Sequence, residues 1–66
     1  MSREEIRDRR IRLGLAQKDL AKIAGVSYAT INRLENDEAY KPLHNLTLFL
    51  TLIIQRLEEN YEKQLS

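Results

Sequence analysis

Apolar residues recur along the chain at the spacing of helices, and no stretch alternates as a half-buried strand would. A first helix is predicted after Ser2, which can cap it with Glu5 as its capping-box partner, and Gly14 ends it. A second, very short helix covers residues 17–24 and ends at Gly25. Its leucine and alanines form a narrow stripe that suits close contact between helices. The first third of the chain therefore predicts two helices joined by a tight turn.

The remainder of the chain predicts one more short helix and a long one. Ser27 is a good N-cap for a third helix over residues 28–36, which a loop follows at 36–41. Pro42 stands where a new helix would begin, because proline suits the first helical position. No Gly or Pro interrupts residues 43–65, so this segment predicts one long helix or two with a subtle bend. Together the elements predict an all-α fold, a compact bundle of four to five helices.

The long C-terminal helix has two apolar faces. One face is predicted to cover the first three helices and carries Leu43, Leu46, Leu50, Ile53, Ile54, Leu57 and Tyr61. Leu48 and Leu52 lie on nearly the opposite side, Phe49 bridges the two faces, and a chain this short has nothing left to cover them. A slightly wider core is one explanation. We favour a homodimer, in which the contacts are made by Leu48, Phe49, Leu52, Arg56 and Glu59.

Composition limits what such a bundle can do. A chain of 66 residues forms one domain, residues 1–66, which buries only about 60% of the surface that its unfolded chain exposes. The sequence has no Cys and a single His, His44, so we expect no disulfide, no metal site and no cofactor. No nucleophile–base pair is visible, which argues against an enzyme. No apolar run reaches the length of a membrane span or a signal peptide, so we expect a cytoplasmic protein with no membrane partner.

Charge is distributed unevenly along the chain, although the net charge is only +1. Residues 1–22 carry seven Lys or Arg and four Asp or Glu, which gives +3. Residues 23–42 and residues 43–66 each carry two cations and three acids, which gives −1 for each segment. A polyanionic partner would therefore meet the first third of the chain.

Residues 17–36 form a helix-turn-helix arrangement, two short helices separated by a turn that contains a glycine. Ala21 is small enough for the third helix to cross closely, and Gly25 allows a turn with positive φ. The full pattern consists of Gln17, Leu20, Ala21, Gly25, Val26, Ser27, Ile31 and Glu35. In these residues the chain resembles the Cro and phage-repressor type, or XRE-type, helix-turn-helix family. The resemblance covers roughly residues 2–57.

The resemblance implies a lambda-repressor-like fold and sequence-specific binding of double-stranded DNA, with the third helix in the major groove. The positions that face bases in such an arrangement are Tyr28, Ala29, Asn32 and Arg33. Arg33 can donate two hydrogen bonds to guanine, and Asn32 can bind adenine. A merely solvated helix face is the alternative for all four.

The resemblance, together with the positive charge, also indicates contacts to the DNA backbone. The candidates are Arg12, Gln17, Lys18, Ser27, Thr30, Asn36, Tyr40 and Lys41. Gln17 opens the second helix, where its side chain and the free backbone amides can hold a phosphate. For each Lys or Arg, a plain solvated charge is the alternative. Arg10 and Glu35 match family positions that form an ion pair between the first and third helices, so they are assigned to the architecture.

Three features depart from the family pattern. Ala16 stands where the family usually has a capping side chain, so the second helix is expected to lack that cap. Asp37 replaces the usual Gly, and with Glu38 it would repel a nearby phosphate chain. The usual break between a fourth and a fifth helix is absent from the C-terminal half, which we interpret as a segment rebuilt for dimerisation.

The sequence therefore predicts a small transcriptional regulator, in the first place a repressor, of phage, plasmid or bacterial origin. It would bind a two-fold symmetric operator as a dimer, with half-sites about one helical turn, ~34 Å, apart. The alternative is an antitoxin-like or other interaction module, whose apolar C-terminal helix would bind a protein partner through Leu48, Phe49 and Leu52.

Overall fold

The computed structural model describes residues 1–65, and within that range it contains four helices and no strand. The helices are α1 (Arg3–Arg12), α2 (Gln17–Ala24), α3 (Tyr28–Asn36) and α4 (His44–Leu65). The all-α prediction is confirmed, and the C-terminal segment that was left open as one helix or two is a single helix. Its 22 residues span about 33 Å, so α4 largely determines the 40 Å length of the molecule.

The three short helices begin at local capping contacts. Ser2 Oγ accepts a hydrogen bond from a backbone N–H in the first turn of α1, and Ser27 Oγ accepts one from Thr30 N in α3, each at 3.2 Å. Ala16 offers no side-chain acceptor to α2, as expected, but Asp19 Oδ2 accepts from Ala16 N at 2.8 Å. Half of a capping box therefore remains. Such contacts matter because helices of eight to ten residues are unstable in isolation.

Two glycines end α1 and α2 in the same way. Gly14 and Gly25 have φ values of 74° and 73°, a region in which a side chain is disfavoured. The N–H after each glycine returns to a carbonyl of the last helical turn: Leu15 N donates to Arg10 O at 3.2 Å, and Val26 N to Ala21 O at 3.0 Å. These are the bonds of a Schellman motif, which turns the chain sharply towards the next helix.

The hydrophobic core draws on all four helices. Its fully buried large side chains are Ile6, Leu20, Ile31, Leu50 and Ile54. Ala21, Ala24 and Leu34 complete it, and the two alanines let α2 approach α3 closely. The leucine and alanines of the stripe predicted in the second helix are therefore buried.

Helix α4 buries a narrower face than its sequence predicts. Leu50 and Ile54 are fully buried, but the predicted burial of Leu43 and Tyr61 is wrong, because they are 79% and 46% exposed. The Leu43 carbonyl accepts the first hydrogen bonds of α4, so Leu43 lies before the first helical turn. The predicted helix start at Pro42 is wrong for the same reason. Tyr61 borders an open groove beside the end of α1, which does not extend far enough to cover it.

The second apolar face of α4 is uncovered in the chain. Leu48, Phe49 and Leu52 are 49%, 46% and 57% exposed, and Arg56 and Glu59 beside them are also exposed. Three large apolar side chains therefore meet solvent within little more than one helical turn.

A buried ion pair joins α1 to α3. Arg10 Nε donates to Glu35 Oε2 at 2.7 Å and Arg10 Nη2 donates to Glu35 Oε1 at 2.8 Å, a bidentate arrangement. Arg10 Nη1 also donates to the Leu15 carbonyl at 2.6 Å. The carboxylate is fully buried and the guanidinium is nearly so. Among the described residues, no buried side-chain nitrogen or oxygen lacks a hydrogen-bond partner.

A second ion pair joins α1 to α4. Arg9 Nε donates to Glu58 Oε2 at 2.8 Å, and Arg9 Nη2 donates to the other carboxylate oxygen. The two side chains are 28% and 27% exposed. The hydrogen bond from Arg9 is the main reason that the pKa of Glu58 lies below its ordinary value.

The Arg9–Glu58 pair should make the stability depend on pH. Because the pKa of Glu58 is lower in the folded chain than in the unfolded one, its contribution is present above the unfolded-state pKa, about 4.3, and is lost as the pH falls through the folded-state pKa. We expect Glu58→Gln to lower the thermal midpoint at neutral pH and to leave it nearly unchanged at a pH of about 2. Circular dichroism measures both, with Glu62→Gln as the exposed control on the same helix. If Glu58→Gln lowered the thermal midpoint equally at both pH values, the effect would not come from the ion pair with Arg9.

Removing one partner of the buried Arg10–Glu35 pair should destabilise the fold more than replacing both partners. Glu35→Ala leaves the Arg10 guanidinium buried without its partner, and we expect a loss of about 3–5 kcal/mol in the free energy of unfolding. Replacing both residues, by Arg10→Met with Glu35→Leu, should cost clearly less because no charge is left behind. Urea denaturation compares the two. The explanation fails if the double replacement costs as much as the single one.

Candidate nucleic-acid interface

Helix α3 has one buried and one solvent-facing side. Ile31, Leu34 and Glu35 are buried against the bundle. The four predicted base-facing residues lie on the other side of the helix: Tyr28, Ala29 and Arg33 are exposed, and Asn32 is half-buried. All four belong to the first two turns of α3, the part of a recognition helix that reaches base edges.

A chain of hydrogen bonds connects the buried ion pair to this exposed side. Glu35 Oε1 accepts from Gln17 Nε2 at 3.1 Å, and Gln17 Oε1 accepts from Asn32 Nδ2 at 3.1 Å. The Asn32 amide therefore has a fixed direction, with its nitrogen towards Gln17. Its oxygen and its second N–H are left for a ligand.

The same network changes what Gln17 can offer to a phosphate. Its side-chain oxygen and one of its amide hydrogens are already used by Asn32 and Glu35. Ala16 N and Asp19 N are already hydrogen-bonded, so within residues 1–65 the free donors at the start of α2 are Gln17 N and Lys18 N, which lie at the positive end of the helix dipole. An anion at this helix end would therefore be bound mainly by the backbone, with Lys18 exposed beside it.

Two aromatic rings lie next to cations on this surface. Lys18 Nζ is 5.8 Å from the centroid of the Tyr28 ring, so a backbone candidate lies beside a base-facing candidate. Arg33 Cζ is 5.2 Å from the centroid of the Tyr40 ring. Tyr40 is half-buried and packs against the core, a role that its position in a loop did not indicate.

The remaining candidates for contacts to the DNA backbone differ in exposure and in the contacts that they already make. Asn36 and Lys41 are exposed, while the hydroxyls of Ser27 and Thr30 are 2.8 Å apart and hydrogen-bonded to each other. Arg12 borders the groove between α1 and the end of α4, which no residue of α2 or α3 lines. Within residues 1–65, no hydrogen bond, ion pair or ring contact joins Arg12 to the other candidates.

The loop after α3 tolerates Asp37 in place of glycine. Asp37 has φ −103°, so this turn needs no glycine. Asp37 Oδ1 accepts from Ala39 N at 3.0 Å, and Asp37 N donates to Arg33 O at 3.0 Å. The carboxylate that was expected to repel phosphates thus also shapes the loop, whereas Glu38 is exposed.

Two features are absent from residues 1–65. No three His, Cys, Asp or Glu side chains are grouped so that they could hold a metal ion. None of the helices there is both long enough and apolar enough to cross a membrane.

Comparison with known proteins is informative at the level of the family. The family model described as helix-turn-helix matches residues 6–51, more than half of the chain, from within α1 to the first turns of α4. No curated protein and no solved structure matches the chain significantly. The matched segment contains the whole helix-turn-helix and the exposed side of α3. The chain belongs to the XRE-type helix-turn-helix family of DNA-binding regulators.

Proposed function

We propose that this regulator is a repressor that binds a two-fold symmetric operator as a homodimer, with α3 of each copy in the major groove. The observation that carries the proposal is the exposed side of α3, whose Asn32 is held from the core through Gln17. In this proposal residues 1–66 form one domain. Residues 17–36 read the DNA, and residues 43–65 complete the core and form the dimer interface.

The chemistry of the exposed side supports base reading. Arg33 can donate two hydrogen bonds to the O6 and N7 atoms of guanine. Asn32 presents an oxygen and one N–H, which is the pair of groups that an adenine edge requires. Ala29 and the ring of Tyr28 are exposed at the start of α3, where they can contact a thymine methyl group.

Backbone contacts would surround this surface. We assign them to the N-terminus of α2 and to the exposed cations and polar groups near it. The set comprises Gln17, Lys18, Ser27, Thr30, Asn36, Tyr40 and Lys41. Arg12 fits it least well, because it borders the groove at the far end of α4.

The uncovered face of α4 supports a second copy as the partner. Its apolar residues lie between 48 and 52, whereas Arg56 and Glu59 continue the same side towards the C-terminus. Two antiparallel copies that cross near residues 50–51 would place Phe49 opposite the partner's Leu52 and leave the charged residues near the rim. This arrangement buries the apolar side chains and keeps the charges in water.

Substitutions should separate base reading from backbone binding. On the preferred site, Arg33→Ala is expected to cost about 1–3 kcal/mol per half-site and to relax one base position in each half-site, because it removes donors to a base edge. Lys18→Ala is the matched control, which should weaken all sequences alike and reduce the salt slope by about 1 per copy, or about 2 for the dimer. Selection from random duplexes followed by fluorescence anisotropy at several salt concentrations measures both. If Arg33→Ala reduced the affinity for preferred and for random DNA equally, the assignment of Arg33 to base reading would be contradicted.

A charge on the uncovered face of α4 should break the dimer without unfolding the chain. Leu52 is 57% exposed in the single chain, so Leu52→Glu is expected to give a folded monomer with weaker operator binding. Gln64→Glu adds the same charge at an exposed position near the end of α4 and should leave the dimer intact. Sedimentation equilibrium and circular dichroism measure assembly and folding. A wild-type protein that is monomeric at high concentration would contradict the homodimer and favour a different protein as the occupant of this face.

A further inference from the structure

We propose that Tyr40 determines base specificity by acting through Arg33: its ring positions the guanidinium for one base of the operator. The inference rests on the proposed function, since it concerns how that recognition surface reads DNA. The observation behind it is a cation–π contact between the two side chains, in which Arg33 Cζ lies over the Tyr40 ring, 5.2 Å from its centroid. Tyr40 is thus a positioning residue in addition to a backbone candidate.

The Tyr40 ring is a fixed platform because its loop is tied to the rest of the fold. Tyr40 N donates to Asp37 O at 3.0 Å, and Asp37 N donates to Arg33 O in the last turns of α3. Arg3 Nη1, from α1, also donates to Asp37 O at 2.7 Å. The ring itself is half-buried and packs against the core. Backbone and packing contacts together therefore hold the ring in place.

Arg33 needs such a platform. Its side chain is exposed, and neither of the two ion pairs in residues 1–65 involves it. A long unrestrained side chain loses rotamer freedom when it binds a base. The contact with the ring restricts the side chain before binding, and it uses no N–H group in a hydrogen bond, so the N–H groups of the guanidinium remain free to donate to guanine.

The other cation–aromatic pair on this surface does not have the same property. Lys18 Nζ lies 5.8 Å from the Tyr28 centroid, but both side chains are exposed. An ammonium group also has no plane that stacking could orient. Only the Arg33–Tyr40 pair combines a planar donor with an anchored ring.

The test is a double-mutant cycle that is read out as base preference. Tyr40→Leu removes the ring, and Tyr40→Phe keeps the ring and removes the hydroxyl. Each is combined with wild-type Arg33 and with Arg33→Ala, and selection from random duplexes gives the preference at every operator position. We expect Tyr40→Leu to reduce discrimination about two- to fivefold at the one position that Arg33→Ala relaxes, which corresponds to an exposed cation–π contact. Tyr40→Phe should retain the wild-type preference, and Tyr40→Leu should have no further effect on base preference in the Arg33→Ala background.

Other outcomes overturn the inference in recognisable ways. If Tyr40→Leu reduced the affinity equally on all sequences, Tyr40 would be only a backbone contact or a packing residue. The same would follow if its effect on base preference persisted in the Arg33→Ala background. A wild-type protein that selects no sequence would instead overturn the proposed function. Nuclear magnetic resonance of the free wild-type protein tests the contact even if Tyr40→Leu does not fold. The Arg33 δ-protons should be shifted upfield by the ring, and an unshifted resonance would overturn the proposal.

Discussion

The buried pair of Arg10 and Glu35 is the constraint around which the first three helices are arranged. The guanidinium belongs to α1, the carboxylate to α3, and Gln17 at the start of α2 donates to the same carboxylate. Arg10 also binds the carbonyl of Leu15, in the turn that leads to α2. A packing that buried one of these charges without the other would leave a desolvated charge unpaired, which costs far more than the pair itself contributes. The pair therefore disfavours such arrangements of a small core.

The same polar groups extend from the core to the solvent-facing side of α3. Glu35 orients Gln17, and Gln17 orients Asn32, so the direction of a half-buried amide is determined by a buried carboxylate. On the other edge of α3, the guanidinium of Arg33 lies over Tyr40, whose ring packs against the core. Two of the four proposed base-facing side chains are thus supported by contacts that reach the interior. Such support reduces the freedom that these side chains lose when they bind a base.

Both sides of helix α4 are apolar, but the chain covers only one of them. Leu50 and Ile54 close the core, and the Arg9–Glu58 pair holds the C-terminal half of α4 against α1. The opposite side, with Leu48, Phe49 and Leu52, stays open to solvent. A second copy on that side would place two recognition helices on one rigid frame, as a two-fold symmetric operator requires.

The sequence by itself determined the features that depend on neighbouring residues. The bounds of the short helices followed from Ser2, Ser27 and the two glycines, because caps and positive φ angles act within one turn of chain. Helical spacing also identified the buried stripe of α2, Leu20, Ala21 and Ala24. Tertiary structure decided how far each face is covered, so Leu43, just before α4, and Tyr61, near its end, remain exposed although the pattern placed both on its core-facing side. It also decided the pairing of Arg9 with Glu58, 49 residues away, the bond from Asn32 to Gln17 and the contact of Arg33 with Tyr40. These contacts depend on how the helices cross, which no local pattern along the chain specifies.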